Sequence, residues 1–246
     1  MKALNDRVAK AVERFWRTRR QQVSLQGRTT GRRDQGNRAA ATGGKQLDGF
    51  VDLVKELLVD AGIPSAAVFC TGRADVTIPG YFWPSKQWDL LVIANSALLA
   101  AVECKSLCGP SFGNNYNNRV EEALGSATDL WTAYRESVFQ KTPRPFLGYL
   151  LLVEEADKST RPVGVLEKHF DELPEFRDAS YIERCAQSVD RLVRERCYDA
   201  ACLIASSAVQ GPKGAYREPA RDHPFRAFAR ELCASVAAKY KSISVD

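Results

Sequence analysis

The sequence predicts an α/β fold, a central mixed β-sheet flanked by helices, on three observations. Apolar runs of strand length alternate with amphipathic stretches of helical spacing. One stretch, Trp88 to Lys105, holds two aliphatic runs split by Asn95-Ser96, the pattern of a hairpin. The chain has 246 residues, 45% hydrophobic and 26% charged, which suits one domain with a substantial core better than two.

Leu4, Val8, Val12 and Phe15 recur at helical spacing, so residues 3 to 21 are expected to form an amphipathic helix with an Arg-rich outer face, docked on the body. Residues 22 to 45 hold few large apolar side chains and many Gly, Thr, Gln and Arg, a composition that predicts a mobile loop in the absence of a partner. Leu47, Phe50, Val51, Val54, Leu57 and Leu58 predict a second helix that ends before Gly62-Ile63-Pro64. Short strands are expected at 66 to 70 and 74 to 78, then the loop Pro79 to Pro84 and the hairpin Asp89 to Lys105. Gly109 to Asn118 reads as a Gly and Asn loop, with Asn118 capping a helix from about Arg119 to Ser137. A buried strand at Phe146 to Val153, a helix from about Tyr181 to Arg196, a strand at Ala200 to Ala205, a loop with Lys213, Arg217 and Arg221, and a helix after Pro224 follow. The expected organisation is a single domain over 1–246, with a basic helix and mobile arm in 1–45 and a core in about 46–246.

Seven Cys without a CxxC pair, and no signal peptide ahead of them, lead us to expect reduced thiols in a cytoplasmic protein. The longest apolar stretch, Leu90 to Val102, is too short to span a bilayer, so no membrane partner is expected. Residues 1–45 carry twelve Lys or Arg against three acids, whereas the rest carries 23 bases against 27 acids. An acidic body with a basic N-terminal arm points to a polyanion met at one face, and a solvated helix with a polar tail has the same charge pattern. Gly43-Gly44-Lys45 lacks the following Ser or Thr of a phosphate-binding loop. With two His, at 169 and 223, and no Cys or His cluster, a structural zinc site is not expected.

The chemistry concentrates in the hairpin. Asp89 opens it, and Glu103-Cys104-Lys105 closes it. Side chains alternate along a strand, so Glu103 and Lys105 share a face with Ala101 while Val102 and Cys104 face the other way. Asp89 and Glu103 supply hard oxygen ligands for Mg²⁺, which takes one or two carboxylates plus waters and substrate phosphate. The Cys104 backbone carbonyl is a further candidate ligand. Lys105 is placed to orient an attacking water or to stabilise charge on phosphate. The same residues also describe a strand-end salt bridge, Glu103 with Lys105, beside an ordinary loop aspartate.

Two other functions fit parts of the chain. Gly109-Pro110-Ser111-Phe112-Gly113 matches G-x-S-x-G, which with His223 would suit a serine hydrolase, but the residues after Lys105 separate the strand from Ser111. A non-catalytic DNA-binding protein needs only the basic arm. It leaves Asp89, Glu103 and Lys105 without a role.

The Asp89, Glu103-x-Lys105 arrangement resembles the PD-(D/E)xK nuclease motif, with Trp88 in place of the proline. The wider segment resembles the XhoI family of type II restriction endonucleases. The resemblance lies in Gly43-Gly44-Lys45, Leu47-Asp48-Gly49-Phe50, Pro79-Gly80-Tyr81, Trp88-Asp89, Ala101 to Ser106, Gly109 to Asn115 and Asn117-Asn118-Arg119. It is clearest from about 43 to 155. It implies a restriction-endonuclease-like core and a Mg²⁺-dependent homodimer that cuts double-stranded DNA at CTCGAG after the first C, leaving 5′ overhangs with 5′-phosphates. It also implies a companion methyltransferase for the same site.

Within that resemblance Asp89, Glu103 and Lys105 are the catalytic candidates. Asp48 is an additional acid, and equally a helix N-terminal carboxylate favoured by the macrodipole. An Arg or Lys reads guanine and an Asn or Gln reads adenine in the major groove. The DNA-binding candidates are Arg28, Arg32, Arg33 and Arg38 in the arm, Asn114, Asn115, Asn117 and Asn118 beside the site, and Lys213, Arg217 and Arg221 further on. Solvation or phosphate contact is the alternative role for each. Tyr81, Phe82, Trp83 and Trp88 are assigned to the core by default, with base stacking as the alternative.

Overall fold

A five-stranded sheet with helices on both faces organises the chain, and the computed structural model describes it over residues 2–29, 44–70, 74–139, 143–166 and 169–244. In chain order the elements are α1 (Lys2–Thr29), α2 (Asp48–Asp60), β1 (Val68–Phe69), β2 (Thr77–Ile78), β3 (Lys86–Gln87), β4 (Leu90–Ala94), β5 (Ala97–Leu107), α3 (Phe112–Arg135), β6 (Phe146–Glu154), α4 (Tyr181–Arg194), β7 (Ala200–Ser206) and α5 (Phe225–Ile243), with short helical turns between them. The main sheet has the order β1-β4-β5-β6-β7, and β2 and β3 form a separate two-stranded ribbon. β1, β4 and β5 pair antiparallel, whereas β5, β6 and β7 pair parallel, so the sheet is mixed as expected.

Helices cover both faces of the parallel strands, which is why β6 and β7 are apolar and buried almost throughout. One core joins α1, α2 and α5 to side chains such as Leu90, Val102 and Cys104. The other joins α3 and α4 to Leu91, Ala101, Leu107 and Tyr149.

Val8, Ala11, Val12, Phe15 and Trp16 bury one stripe of α1, and the Trp16 indole donates to Ser206 Oγ at 3.0 Å. Part of the Arg-rich face turns onto the acids of α2: Arg7 meets Glu56 and Asp60 at 2.8 Å, and Arg14 meets Asp52 at 2.5 Å. Further along, Arg19 donates to the Gly109 carbonyl and Arg20 to the Ala208 carbonyl. These contacts carry α1 to the rim at the C-terminal ends of β5 and β7.

The strands expected at 66 to 70 and 74 to 78 shrink to Val68–Phe69 and Thr77–Ile78, and two helix boundaries differ more from the sequence expectation. α1 continues to Thr29, past the expected end at 21, because Gln21, Gln22, Leu25 and Gln26 sustain a helix and no proline interrupts it. The remainder of the expected loop, residues 30–43 with Arg32, Arg33 and Arg38, lies outside the described residues; Arg28 falls in the last turn of α1, where only the backbone is described. The second difference is the expected loop before residue 119, where α3 already begins at Phe112. Asn118 is therefore interior to the helix and caps nothing. Packing overrides the Gly and Asn composition here. Phe112 and Tyr116, four apart, both lie against Tyr181 of α4, and a Cβ on Gly113 would come 2.7 Å from the Tyr181 hydroxyl.

α4 starts in a capping box: Ser180 Oγ accepts from the Glu183 N–H, and Glu183 Oε2 accepts from the Ser180 N–H at 2.7 Å. Ser180→Ala is expected to cost about 1 kcal/mol, read as a lower urea midpoint. The Ser180 hydroxyl and N–H hold the Glu183 carboxyl below its usual value. The Glu183 share of the stability is thus present above the unfolded-state pKa and lost as pH falls through the depressed folded value. A midpoint unchanged by the substitution at pH 7 contradicts the assignment.

Candidate active site

Asn95 and Ser96 form the hairpin turn, with φ of 48° and 61°, the left-handed conformations of a tight two-residue connection. From Ala94 opposite Ala97, an unbroken ladder would bring Asp89 opposite Val102, on the wrong face. The register shifts instead: Ile93 pairs with Leu98, but Val92 pairs with Ala100 and Leu90 with Val102. A bulge at Leu99 absorbs one residue, and consecutive Leu99 and Ala100 both enter the α1 side of the core. One step beyond Leu90, Asp89 then lies opposite Glu103 and shares its face. The Asp89 N–H donates to the Val102 carbonyl at 3.3 Å, and the Cys104 N–H donates to Asp89 Oδ2 at 2.7 Å.

Sequence alternation places Lys105 on this face as well, and its Nζ lies 2.8 Å from Glu103 Oε1. The pair is not at a strand end, because β5 continues to Leu107 and Glu103 is 2% exposed. A second ammonium, from Lys86 of β3, reaches the same oxygen at 3.1 Å. Burial works to raise the Glu103 pKa, but Lys105 and Lys86 outweigh it and hold the carboxyl below its usual value. Burial also works to lower Lys105, which the Glu103 charge reverses. For Asp89 burial prevails over the Cys104 N–H, and the pKa is raised.

The donor set suits a hard divalent cation. Glu103 Oε2 is buried and has no hydrogen-bond partner, an orphaned oxygen on the face it shares with Asp89. Among the described residues no group of three or more His, Cys, Asp and Glu side chains is arranged to hold a metal. Two carboxylates fit an ion that keeps coordination positions for water and phosphate. Cys104 offers only its backbone: its thiol faces the opposite core and is pushed well up by burial. Its N–H points to the β4 side, and in an extended strand the carbonyl of the same residue points the same way.

The structure distributes the remaining candidates unevenly. Asp48, at the start of α2, belongs to the opposite layer; its pKa is raised by burial and acted on by Arg14, Asp52 and Lys45, none of them part of the Asp89 group. On α3, Asn115 and Asn118 share a stripe with Arg119 and Glu122, and Glu122 Oε2 lies 3.8 Å from Lys105. Asn114 and Asn117 are exposed on another side. Lys213 is exposed and Arg217 pairs with Glu155 at 2.6 Å, while Arg221 borders a surface hollow with Arg226 and Arg230. Trp88 is buried as expected, but Tyr81, Phe82 and Trp83 are 50, 61 and 48% exposed. Their backbone explains the reversal. Asp129 of α3 accepts the N–H groups of Tyr81 and Phe82 at 2.9 and 2.7 Å, which holds the loop by its main chain and turns the rings outward.

Sequence reasoning missed Lys86 and Glu122. The one available signal for Lys86 was a cation three residues before Asp89; Glu122 gave none beyond helical spacing from the Asn run. Ser111 is directly followed by a helix, as a nucleophile elbow requires, yet its side chain makes no cap hydrogen bond and His223 pairs with Asp190 at 3.3 Å. Among the described residues Ser111 has no contact with a histidine base. Among the described residues no helix is long and apolar enough to cross a membrane.

Comparison with known proteins identifies the family. The family model described as Restriction endonuclease XhoI matches residues 26–218. The type II restriction enzyme BstVI of Geobacillus stearothermophilus is 48% identical over 217 residues, covering 86% of this chain and 96% of that protein. The type II restriction enzyme XhoI of Xanthomonas vasicola is 43% identical over 180 residues, 73% and 71% of the two chains. The type II restriction enzyme AbrI of Azospirillum brasilense is 48% identical over 160 residues, 65% and 71%. No solved structure matches significantly.

Proposed function

Because the chain belongs to the XhoI restriction endonuclease family and is a type II site-specific deoxyribonuclease, we propose that it cuts both strands of CTCGAG after the first C, with Mg²⁺ as cofactor and Asp89, Glu103 and Lys105 as catalytic residues. The observation that carries the site assignment is the shared face of Asp89, Glu103 and Lys105 beside a buried carboxylate oxygen without a partner. The sequence specificity rests on the resemblance of the motifs from residue 43 to 155. Held there, Mg²⁺ would supply Lewis-acid assistance for attack on the phosphate.

Asp89, Glu103 and the Cys104 carbonyl would hold the ion. Lys105, anchored by Glu103, presents its ammonium to the attacking water or to the charge gathering on the phosphate oxygens. Tyr149, beside Glu103 on β6, walls the site; burial and the Glu103 charge keep its phenol neutral. A palindrome is matched by a twofold homodimer with one site per strand, and a companion methyltransferase protects the same sequence. The DNA contacts are drawn from Arg28, Arg32, Arg33 and Arg38, from Asn114, Asn115, Asn117 and Asn118, and from Lys213 and Arg217.

The test is digestion of a plasmid of known sequence by the full chain. With Mg²⁺, discrete fragments with 5′ overhangs at CTCGAG are expected, and EDTA abolishes them. A smear, cleavage at another sequence, or intact plasmid overturns the proposal.

A further inference from the structure

One lysine suffices for the proposed chemistry, yet the structure brings two to one carboxylate oxygen. Lys105 Nζ and Lys86 Nζ lie 2.8 and 3.1 Å from Glu103 Oε1, while Oε2 has no partner. The two lysines are rooted differently. Lys105 sits within the eleven-residue β5, paired to β6, whereas Lys86 sits on the two-residue β3, outside the main sheet. The Lys86 side chain is 17% exposed, and its ammonium lies 4.7 Å from the ring centroid of buried Trp88. Asp89, Glu103 and Lys105 alone carry one net negative charge in a site largely removed from water. Lys86 balances it, which is what an enclosed group of charges requires.

We propose that Lys86 is a further functional residue of the cleavage reaction: its ammonium holds the Glu103 carboxylate until a divalent cation takes that carboxylate over, and it then turns to a DNA phosphate. This rests on the assignment of Asp89 and Glu103 as metal ligands. A divalent ion on those carboxylates adds two positive charges beside two ammonium groups, and repulsion expels the cation on the more movable root. Lys86 has that root and a flexible four-carbon stem, so it leaves while Lys105 stays. An incoming phosphate offers the released ammonium a partner, so metal and DNA each favour the other's binding through Lys86.

The test measures Mn²⁺ binding to the DNA-free protein from the electron paramagnetic resonance signal of free Mn²⁺. Lys86→Met keeps an unbranched stem but removes the charge and with it the ammonium contact with Trp88; Lys86→Gln is a second variant. Both are expected to bind Mn²⁺ at least about fivefold more tightly than the unmodified chain, consistent with loss of one nearby like charge. Duplex DNA made uncleavable by phosphorothioate linkages at CTCGAG is expected to bring the variants and the unmodified chain within about twofold, in line with reciprocal coupling. Unchanged or weaker Mn²⁺ binding in either variant that folds overturns the proposal; so does failure of both to fold, which makes Lys86 a structural counter-ion. Glu103→Gln separates the two layers of the argument. If it binds Mn²⁺ as well as the unmodified chain, or if the unmodified chain binds none, the metal-site assignment fails and this inference with it.

Discussion

Lys105→Ala is expected to bind DNA as the unmodified chain does and to cleave about 10²–10³-fold more slowly, the usual loss for a group that stabilises charge only in the transition state. The side chain is suited to that separation. Lys105 is 27% exposed and already engaged by Glu103 at 2.8 Å, with Glu122 at 3.8 Å, so it contributes little to the long-range field that draws DNA to the basic arm. Removing one partner of a buried ion pair ordinarily costs about 3–5 kcal/mol, because the other charge is left alone. Glu103 is not left alone. Lys86 remains at 3.1 Å, so the variant should fold and keep its carboxylates in place. Single-turnover cleavage at saturating enzyme, beside filter binding in Ca²⁺, separates the two effects. Cleavage within tenfold of normal would reassign Lys105 to a structural pair with Glu103.

The proposed catalytic face was legible in part. Alternation along Ala101, Glu103 and Lys105 placed the last two together, and the Asn95-Ser96 break located the turn. The position of Asp89 was a different matter. An unbroken hairpin from that turn puts Asp89 on the Val102 side, and only the bulge at Leu99 brings it opposite Glu103. Nothing in the run Ala97 to Val102 marks that bulge, because all six residues are apolar and suit either core. The family motif carried the pairing that local pattern alone assigns to the wrong face.

The helices show the complementary failure. Leu47 to Leu58 and Tyr181 to Arg194 were legible because their apolar spacing agrees with their propensity. The start of α3 was not, since Gly113 and the Asn run favour a loop, and what stabilises the helix is the distant ring of Tyr181. The exposed Tyr81, Phe82 and Trp83 followed the same logic in reverse. Aromatic rings belong in the core by default, but Asp129, 48 residues from Tyr81, binds the backbone of their loop and decides their direction.

Trp16→Ala is expected to lower stability by about 3–5 kcal/mol, a core-sized loss from a helix that the charge count alone groups with the basic arm. The indole is 2% exposed, packs edge-on against Phe15 at 5.3 Å, and donates to Ser206 at the end of β7. The backbone comes close on its other side, since a Cβ on Gly211 would lie 2.0 Å from the indole nitrogen. Such a contact has no room to relax around a smaller side chain without leaving a cavity, and a cavity adds its own cost to the lost burial. Gly211→Ala attacks the same contact by overfilling it and should destabilise by about 1–3 kcal/mol. Urea unfolding measures both. If α1 were only an attached arm, Trp16→Ala would shift the midpoint slightly and leave the cooperative transition of the body intact. A large shift of one shared transition would make α1 part of the core that carries β7, and removal of residues 1 to 21 would then unfold the enzyme rather than trim it.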